Sequence, residues 1–376
     1  MAKISPLVSV VAFLLQLSLG IIMLIMMIMD VVNANNLQAV PIFIFGDSTV
    51  DVGTNNFLPN TRARANVTPN GIDYPHSEPT GRFSNGLNTA DEIAKKFGYN
   101  RSPKPFLSLV QDNSTFLRNV LNGANFASGG SGIRQSTGNQ SYGEVVWLGK
   151  QIEQFVTVQQ NFTAIMGPEA TWKKLSESLF IISVGSNDLF DYNETTSGLS
   201  KEGYLLSLNS TYRNHLENLY SLGARKFGIV SVPPIGCCPA VRAAHNATGC
   251  VEELNAYARI FHTVLDTLLS SLSSQLIEMK YALGNAYEIT MEIIEDPSAF
   301  GIEETNSACC GNGNLNGEKP CAAIYHPNVC AKREKYLFWD LFHPTQEAAK
   351  IAARTLHGGG KRFVAPINFS QLAAAN

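Results

Sequence analysis

Four short groups of residues in this chain carry side chains suited to acyl transfer, and each stands beside glycine or at the end of an apolar run. Ser48 lies in Phe45-Gly-Asp-Ser-Thr49, and Gly129 and Gly130 lie in Asn125-Phe-Ala-Ser-Gly-Gly-Ser-Gly132. Asn187 lies in Gly185-Ser-Asn-Asp188, and Asp340 and His343 lie in Asp340-Leu-Phe-His-Pro344. A serine hydroxyl is a poor nucleophile until a base takes its proton, and an imidazole titrating near neutrality is the natural base. A carboxylate beside the imidazole holds its tautomer and stabilises the imidazolium. The tetrahedral oxyanion then needs preplaced donors, each worth about 3 kcal/mol when removed. The N–H of Ser48, the N–H of Gly130 or Gly129, and the Asn187 side-chain amide are the candidates. Taken singly the groups are weak, since Gly-Asp-Ser is a common turn and Asn187 suits an Asx-turn. Their joint occurrence carries the reading. His76, His215, His245, His262, His326 and His357 lack such a partner pattern and read as structural or solvated.

These groups need a scaffold that gathers them. Apolar β runs at Val40–Phe45, Gly123–Ala127, Leu179–Val184, Lys226–Val232 and Met279–Leu283 alternate with helical patterns over 89–97, 148–166, 203–222 and 251–274. Asn88 reads as the first helix's cap and Gly98 as its stop. A last helix is expected to begin near Pro344, which suits a first helical position and keeps His343 on the preceding loop. Gly358–Gly360 with Lys361 and Arg362 reads as a flexible exit. Alternating strands and helices predict a parallel sheet covered on both faces, doubly wound by right-handed crossovers. Ligands of such sheets bind beyond the carboxyl ends of the strands, where the first three groups stand.

The rest of the chain reads as exported. Lys3 followed by apolar Leu7–Met29 and a small-residue Val32-Asn33-Ala34 site resembles a signal peptide over residues 1–34, leaving one domain over 35–376. The apolar stretch is also long enough to be retained as an anchor, and no later run is long enough to span a bilayer. Glycosylation sequons stand at Asn66, Asn100, Asn113, Asn139, Asn161, Asn193, Asn209, Asn246 and Asn368. All 7 cysteines fall in the C-terminal half. In an oxidising compartment Cys237 and Cys250 could close a loop worth about 3 kcal/mol. Cys309, Cys310, Cys321 and Cys330 could hold two more bridges, leaving Cys238 over. Zinc is the weaker alternative, because no Cys-x-x-Cys pair is present. Of 376 residues 45% are hydrophobic and 16% charged, which excludes a disordered chain. A net charge of −3 offers no basic excess for nucleic acid.

In order and spacing the four groups resemble the GDSL esterase/lipase family, the SGNH hydrolases, and specifically its plant branch. The family's block residues fall on Ser48, Gly130, Asn187 and His343. Further plant-like segments are Pro79-Thr-Gly-Arg-Phe-Ser-Asn-Gly86, Val232-Pro-Pro-Ile-Gly-Cys237, Gly249–Asn255, Ala308-Cys-Cys-Gly311 and Tyr336–Thr345. Two positions depart from the pattern: Thr49 replaces the motif's leucine, and Cys238 stands where an apolar residue is usual. The resemblance implies a flavodoxin-like three-layer α/β/α sandwich with five parallel strands. It also implies hydrolysis of acyl esters, borne by small molecules or polymers, without metal or cofactor. Ser48, Asp340 and His343 would be catalytic, with Ser48, Gly130 and Asn187 around the oxyanion. A Gly-x-Ser-x-Gly elbow is absent. Lipids, acetylated wall polysaccharides and hydroxycinnamate esters stay open as substrates, transfer to an alcohol acceptor has the same motifs, and a catalytically silent binding module is the rival from another class.

Overall fold

The structure, a computed structural model, describes residues 40–375; the segment read as a signal peptide lies outside them. Five parallel strands form the centre: β1 (Ile42–Gly46), β2 (Gly123–Asn125), β3 (Leu179–Ser183), β4 (Lys226–Val230) and β5 (Lys280–Gly284). Their order is β2-β1-β3-β4-β5, with Ile42 opposite Gly123 and Leu179, and Leu179 opposite Lys226. This is the expected flavodoxin-like order. A sixth, antiparallel edge strand, Val364–Ala365, pairs with β5.

The period of two along β1 builds two cores. Phe43 and Phe45 point to one face, with Phe126, Phe155 and Phe180, while Ile42 and Ile44 point to the other. The aromatic face is closed by helices Leu148–Met166, Lys201–Ser221 and Glu252–Gln275 through residues such as Phe155, Leu216 and Phe261. The aliphatic face is closed by helices Thr89–Lys96 and Gln346–Gly358 through Ile93, Ala353 and Leu356. Each fully buried Phe, Leu or Ile contributes about 1.5–3 kcal/mol. Burial on both faces is why the strands read as continuous apolar runs.

Helix Thr89–Lys96 starts as expected. Asn88 and Asp91 form a reciprocal capping box, and Gly98 has a φ of +88°. The last helix starts later than expected. It runs Gln346–Gly358 behind Thr345, whose side chain accepts from the Ala348 N–H, so Pro344 lies in the loop ahead of the cap. A capping hydroxyl satisfies an orphan donor that proline cannot. The supposed flexible exit is a turn, with the Phe363 N–H bonded to the Gly360 carbonyl at 2.9 Å. It leads into the edge strand and helix Phe369–Ala374, where Phe369 and Leu372 are fully buried. Helices Asn113–Val120, Pro168–Glu177 and Ala286–Glu295 are further elements that the sequence reading omitted. No helix of the described residues is long and apolar enough to cross a membrane.

Disulfides join Cys237 to Cys250, Cys309 to Cys330 and Cys310 to Cys321, and Cys238 is a buried free thiol. The two adjacent cysteines staple the segment before the site. The Cys309 N–H donates to the Phe338 carbonyl at 2.9 Å, and the Cys310 N–H to the Trp339 carbonyl at 2.7 Å. Buried Trp339 donates its indole N–H to Asn70 Oδ1 at 2.9 Å.

Candidate active site

The strand ends converge as the doubly wound topology requires. β1 ends at Gly46, whose φ of +144° turns the chain sharply. A Cβ there would lie 2.0 Å from the Ser183 carbonyl oxygen, so only glycine permits this crossing. The buried amide of Gln151 holds Gly46 from the helix side, accepting its N–H and donating to its carbonyl, both at 2.8 Å. Asp47 then stabilises the turn by accepting from the Thr49 N–H at 3.0 Å and the Thr49 hydroxyl at 2.7 Å. Its carboxyl sits above the ordinary aspartate range, because burial outweighs those bonds and the nearby His343. Ser48 emerges at the tip of this turn.

The structure brings Ser48, His343 and Asp340 into one line. His343 Nε2 lies 2.7 Å from Ser48 Oγ. His343 Nδ1 lies 2.8 and 3.0 Å from the two Asp340 oxygens. With the Nδ1 proton donated to Asp340, Nε2 is left to accept from the serine hydroxyl. Asp340 Oδ1 also accepts the backbone N–H groups of Phe342 and His343 at 3.0 and 2.9 Å, which closes the loop around the carboxylate. Burial disfavours charge on both partners. Their mutual attraction, with these hydrogen bonds, outweighs it, so Asp340 is held below its ordinary value and His343 above its own. The Phe83 ring lies against the imidazole, with centroids 4.9 Å apart. Arg82 fixes that loop through a buried two-pronged contact with Asp91 at 2.7 and 2.8 Å.

Gly130 and Asn187 stand across the same cavity, together with Tyr142, Phe190 and Ile235. The Asn187 Nδ2 donates one hydrogen to the Ser131 carbonyl at 2.8 Å, which orients the amide and leaves its second hydrogen for the cavity. Gly129 and Gly130 are distinguished here. The Gly129 N–H donates to Asp51 Oδ2 at 2.9 Å. The Gly130 and Ser48 N–H groups meet no acceptor among the described residues. Gly130 adopts a φ of +80°, and a Cβ there would press on the Tyr142 ring at 2.6 Å.

Two buried carboxylates that the sequence reading passed over hold this loop. Asp51 binds Gly53, Thr54 and Gly129 N–H groups, and Asp188 binds the Ile133 and Arg134 N–H groups and the Thr137 hydroxyl. Burial pushes both up to about 6 despite these bonds. Their signal was present, since Asp51 follows Ser48 by one turn and Asp188 adjoins Asn187. Gln151 had no comparable signal, because it stands on the apolar face of a helix with no motif around it. His215 is buried and bonded to the Ile133 carbonyl at 3.0 Å, which makes it structural.

The family model described as GDSL-like Lipase/Acylhydrolase matches residues 42–356. The chain is 37% identical to the GDSL esterase/lipase LTL1 of Arabidopsis thaliana over 335 residues, covering 87% of this chain and 89% of that protein. It is 35% identical to the GDSL esterase/lipase At5g55050 of the same plant, covering 90% and 91%. A solved structure of a catalytic mutant of Axe2, an acetylxylan esterase from Geobacillus stearothermophilus, aligns over 84% of this chain and 92% of that one, at 11% identity and a TM-score of 0.35. By the match along most of its length and the identity to its plant relatives, the chain belongs to the GDSL-like lipase/acylhydrolase family.

Proposed function

We propose that the protein is a secreted serine esterase hydrolysing carboxylic esters. The observation that carries this is the 2.7 Å approach of His343 Nε2 to Ser48 Oγ, with Asp340 on the other ring nitrogen. Ser48 Oγ attacks the acyl carbon as its proton passes to His343 Nε2. The carbonyl oxygen becomes an oxyanion facing the Ser48 and Gly130 N–H groups and the Asn187 amide. Collapse breaks the ester C–O bond, and His343 gives its proton to the departing alcohol. Water, deprotonated by His343, then attacks the acyl-serine. Release of the acid returns the proton to Ser48. Asp340 stabilises the imidazolium in both halves and keeps its own proton count unchanged.

Ser48→Ala tests the reading. It is expected to lower kcat for p-nitrophenyl acetate by at least about 10⁴-fold and to abolish labelling by a fluorophosphonate probe, with the melting temperature unchanged. Retained turnover or labelling refutes it.

Export is part of the same reading. Residues 1–34 act as a signal peptide, and glycans occupy exposed sequons such as Asn66, Asn100, Asn193 and Asn246. Asn161 is a poor acceptor, since its Nδ2 donates to the Thr157 carbonyl at 2.7 Å within a helix. N-terminal sequencing and glycopeptide mapping of protein from the medium test both parts; an intact Met1 refutes cleavage.

A further inference from the structure

Behind the wall of the catalytic cavity lies a second one, of about 110 Å³ against about 200 Å³ for the first. Thr49, Pro233, Cys238 and Phe342 face both. Thr49 directly follows Ser48, so the shared wall begins one residue from the proposed nucleophile. Thr49 and Cys238 are also the two positions at which this chain departs from the motifs of its family. Both departures therefore fall on one partition only a few side chains thick.

The cavities differ in chemistry. The catalytic one is bordered by Arg62, Arg64, Asp47, Asp340 and His343. The second has no charged side chain in its lining and is walled largely by Ile289, Ile293, Leu337, Ala349, Ala352 and Leu356. Three of its five hydroxyls, those of Thr49, Ser183 and Ser231, are already engaged. Thr49 Oγ1 bonds to Asp47 and, at 3.1 Å, to Ser183 Oγ, and Ser231 Oγ accepts the Ala286 N–H at 3.2 Å. Water entering there finds few free partners, whereas an alkyl chain needs none.

We infer that this cavity is the acyl-chain pocket of the enzyme, entered past Thr49, Cys238 and Phe342, and that the substrates are esters of medium-chain fatty acids rather than acetyl esters. The inference rests on the esterase reading and adds its substrate class. The alcohol portion then lies on the Arg62 and Arg64 side. Each methylene buried in the pocket is expected to raise kcat/KM about fourfold until the pocket is full.

Ala352→Leu, on helix Gln346–Gly358, puts a larger side chain and a good helix former into the lining of the pocket. Wild-type protein is expected to prefer p-nitrophenyl octanoate to the acetate. The variant is expected to cut the octanoate-to-acetate ratio of kcat/KM at least tenfold. Thr290→Leu enlarges a lining residue on helix Ala286–Glu295 and serves if the first variant fails to fold. An acetate preference in the wild type, or an unchanged ratio in a folded variant, overturns the proposal. Binding separates it from the esterase reading. Octan-1-ol titrated calorimetrically into Ser48→Ala protein is expected to bind, and at least tenfold more weakly when Ala352→Leu is added. Absent or unaltered binding overturns the pocket even where esters are turned over, while binding without turnover overturns only the esterase reading.

Discussion

Asp340→Asn separates positioning from charge. Asp340 Oδ1 accepts the Phe342 and His343 N–H groups at 3.0 and 2.9 Å, and an asparagine oxygen keeps both bonds, so the loop survives. What changes is the other contact. Oδ1 stays 2.8 Å from His343 Nδ1 and still accepts from it, but the oxygen at 3.0 Å becomes an amide nitrogen whose hydrogens oppose the Nδ1–H, and the carboxylate charge is lost. The Nδ1–H tautomer and the imidazolium both lose support, so Nε2, 2.7 Å from the Ser48 hydroxyl, becomes a weaker proton acceptor. In the serine-protease triad this change lowers kcat by about 10⁴, or about 5.5 kcal/mol at about 1.4 kcal/mol per factor of ten. The same loss is expected here in kcat/KM for p-nitrophenyl acetate, with an unchanged melting temperature. The residual activity carries a second signature. The Asp340 charge raises the His343 value, so without it the imidazole loses its proton at lower pH. The acid limb of the pH–kcat/KM profile should therefore move down. Activity within tenfold of wild type, or an acid limb that stays in place, refutes the assignment of Asp340 as the partner of the base.

Three further outcomes follow from the geometry. Gly46→Ala puts a methyl group 2.0 Å from the Ser183 oxygen at a φ of +144°, and a loss of more than about 4 kcal/mol in chemical denaturation is expected. Asp51 and Asp188 titrate near 6 when folded against 3.8 for the free side chain. The folded state holds these two protons more tightly, so their contribution to stability rises as pH falls from about 7 toward 4, on the order of 3 kcal/mol for each carboxyl, against the opposite trend of His215, His262 and His357, which burial holds below the ordinary histidine value. A pH dependence of calorimetric melting that Asp51→Asn with Asp188→Asn leaves unchanged refutes this. Burial pushes the Cys238 thiol up to about 12, so iodoacetamide should add nothing to the native protein and one equivalent after denaturation, read by intact mass.

The parts legible in the sequence share a physical cause. Strands buried on both faces are written as apolar runs, and their ends are marked because a sharp turn needs glycine, as at Gly46 and Gly185. Among the candidate groups, Ser48 and Asn187 stood out because each followed such a mark, and Asp340 and His343 because they stand together ahead of a helix start. The remainder lacked this contrast. Helix Pro168–Glu177 buries only Thr171 and Leu175, which is too short a stripe to show a period. The edge strand Val364–Ala365 is two residues long and holds its place through β5 and the buried Phe369 rather than through its own pattern. The capping box of Asn368 and Gln371 was present but hidden behind three glycines that read as an ending. Gln151 shows the remaining limit, since a helix glutamine becomes meaningful only once Gly46 is found opposite it.

The cross-linked strap between Cys309 and Cys330 bears on how the protein must be made. Its backbone sets the register of residues 338 and 339, and the backbone N–H of Trp339 in turn donates to the His343 carbonyl at 2.8 Å. Alignment of the imidazole is thereby tied to covalent bonds that form only where thiols are oxidised. A bacterial cytosol can supply the sheet and its aromatic core while leaving that tether slack. Specific activity of recombinant material would then report the redox history of the host as much as the identity of its side chains.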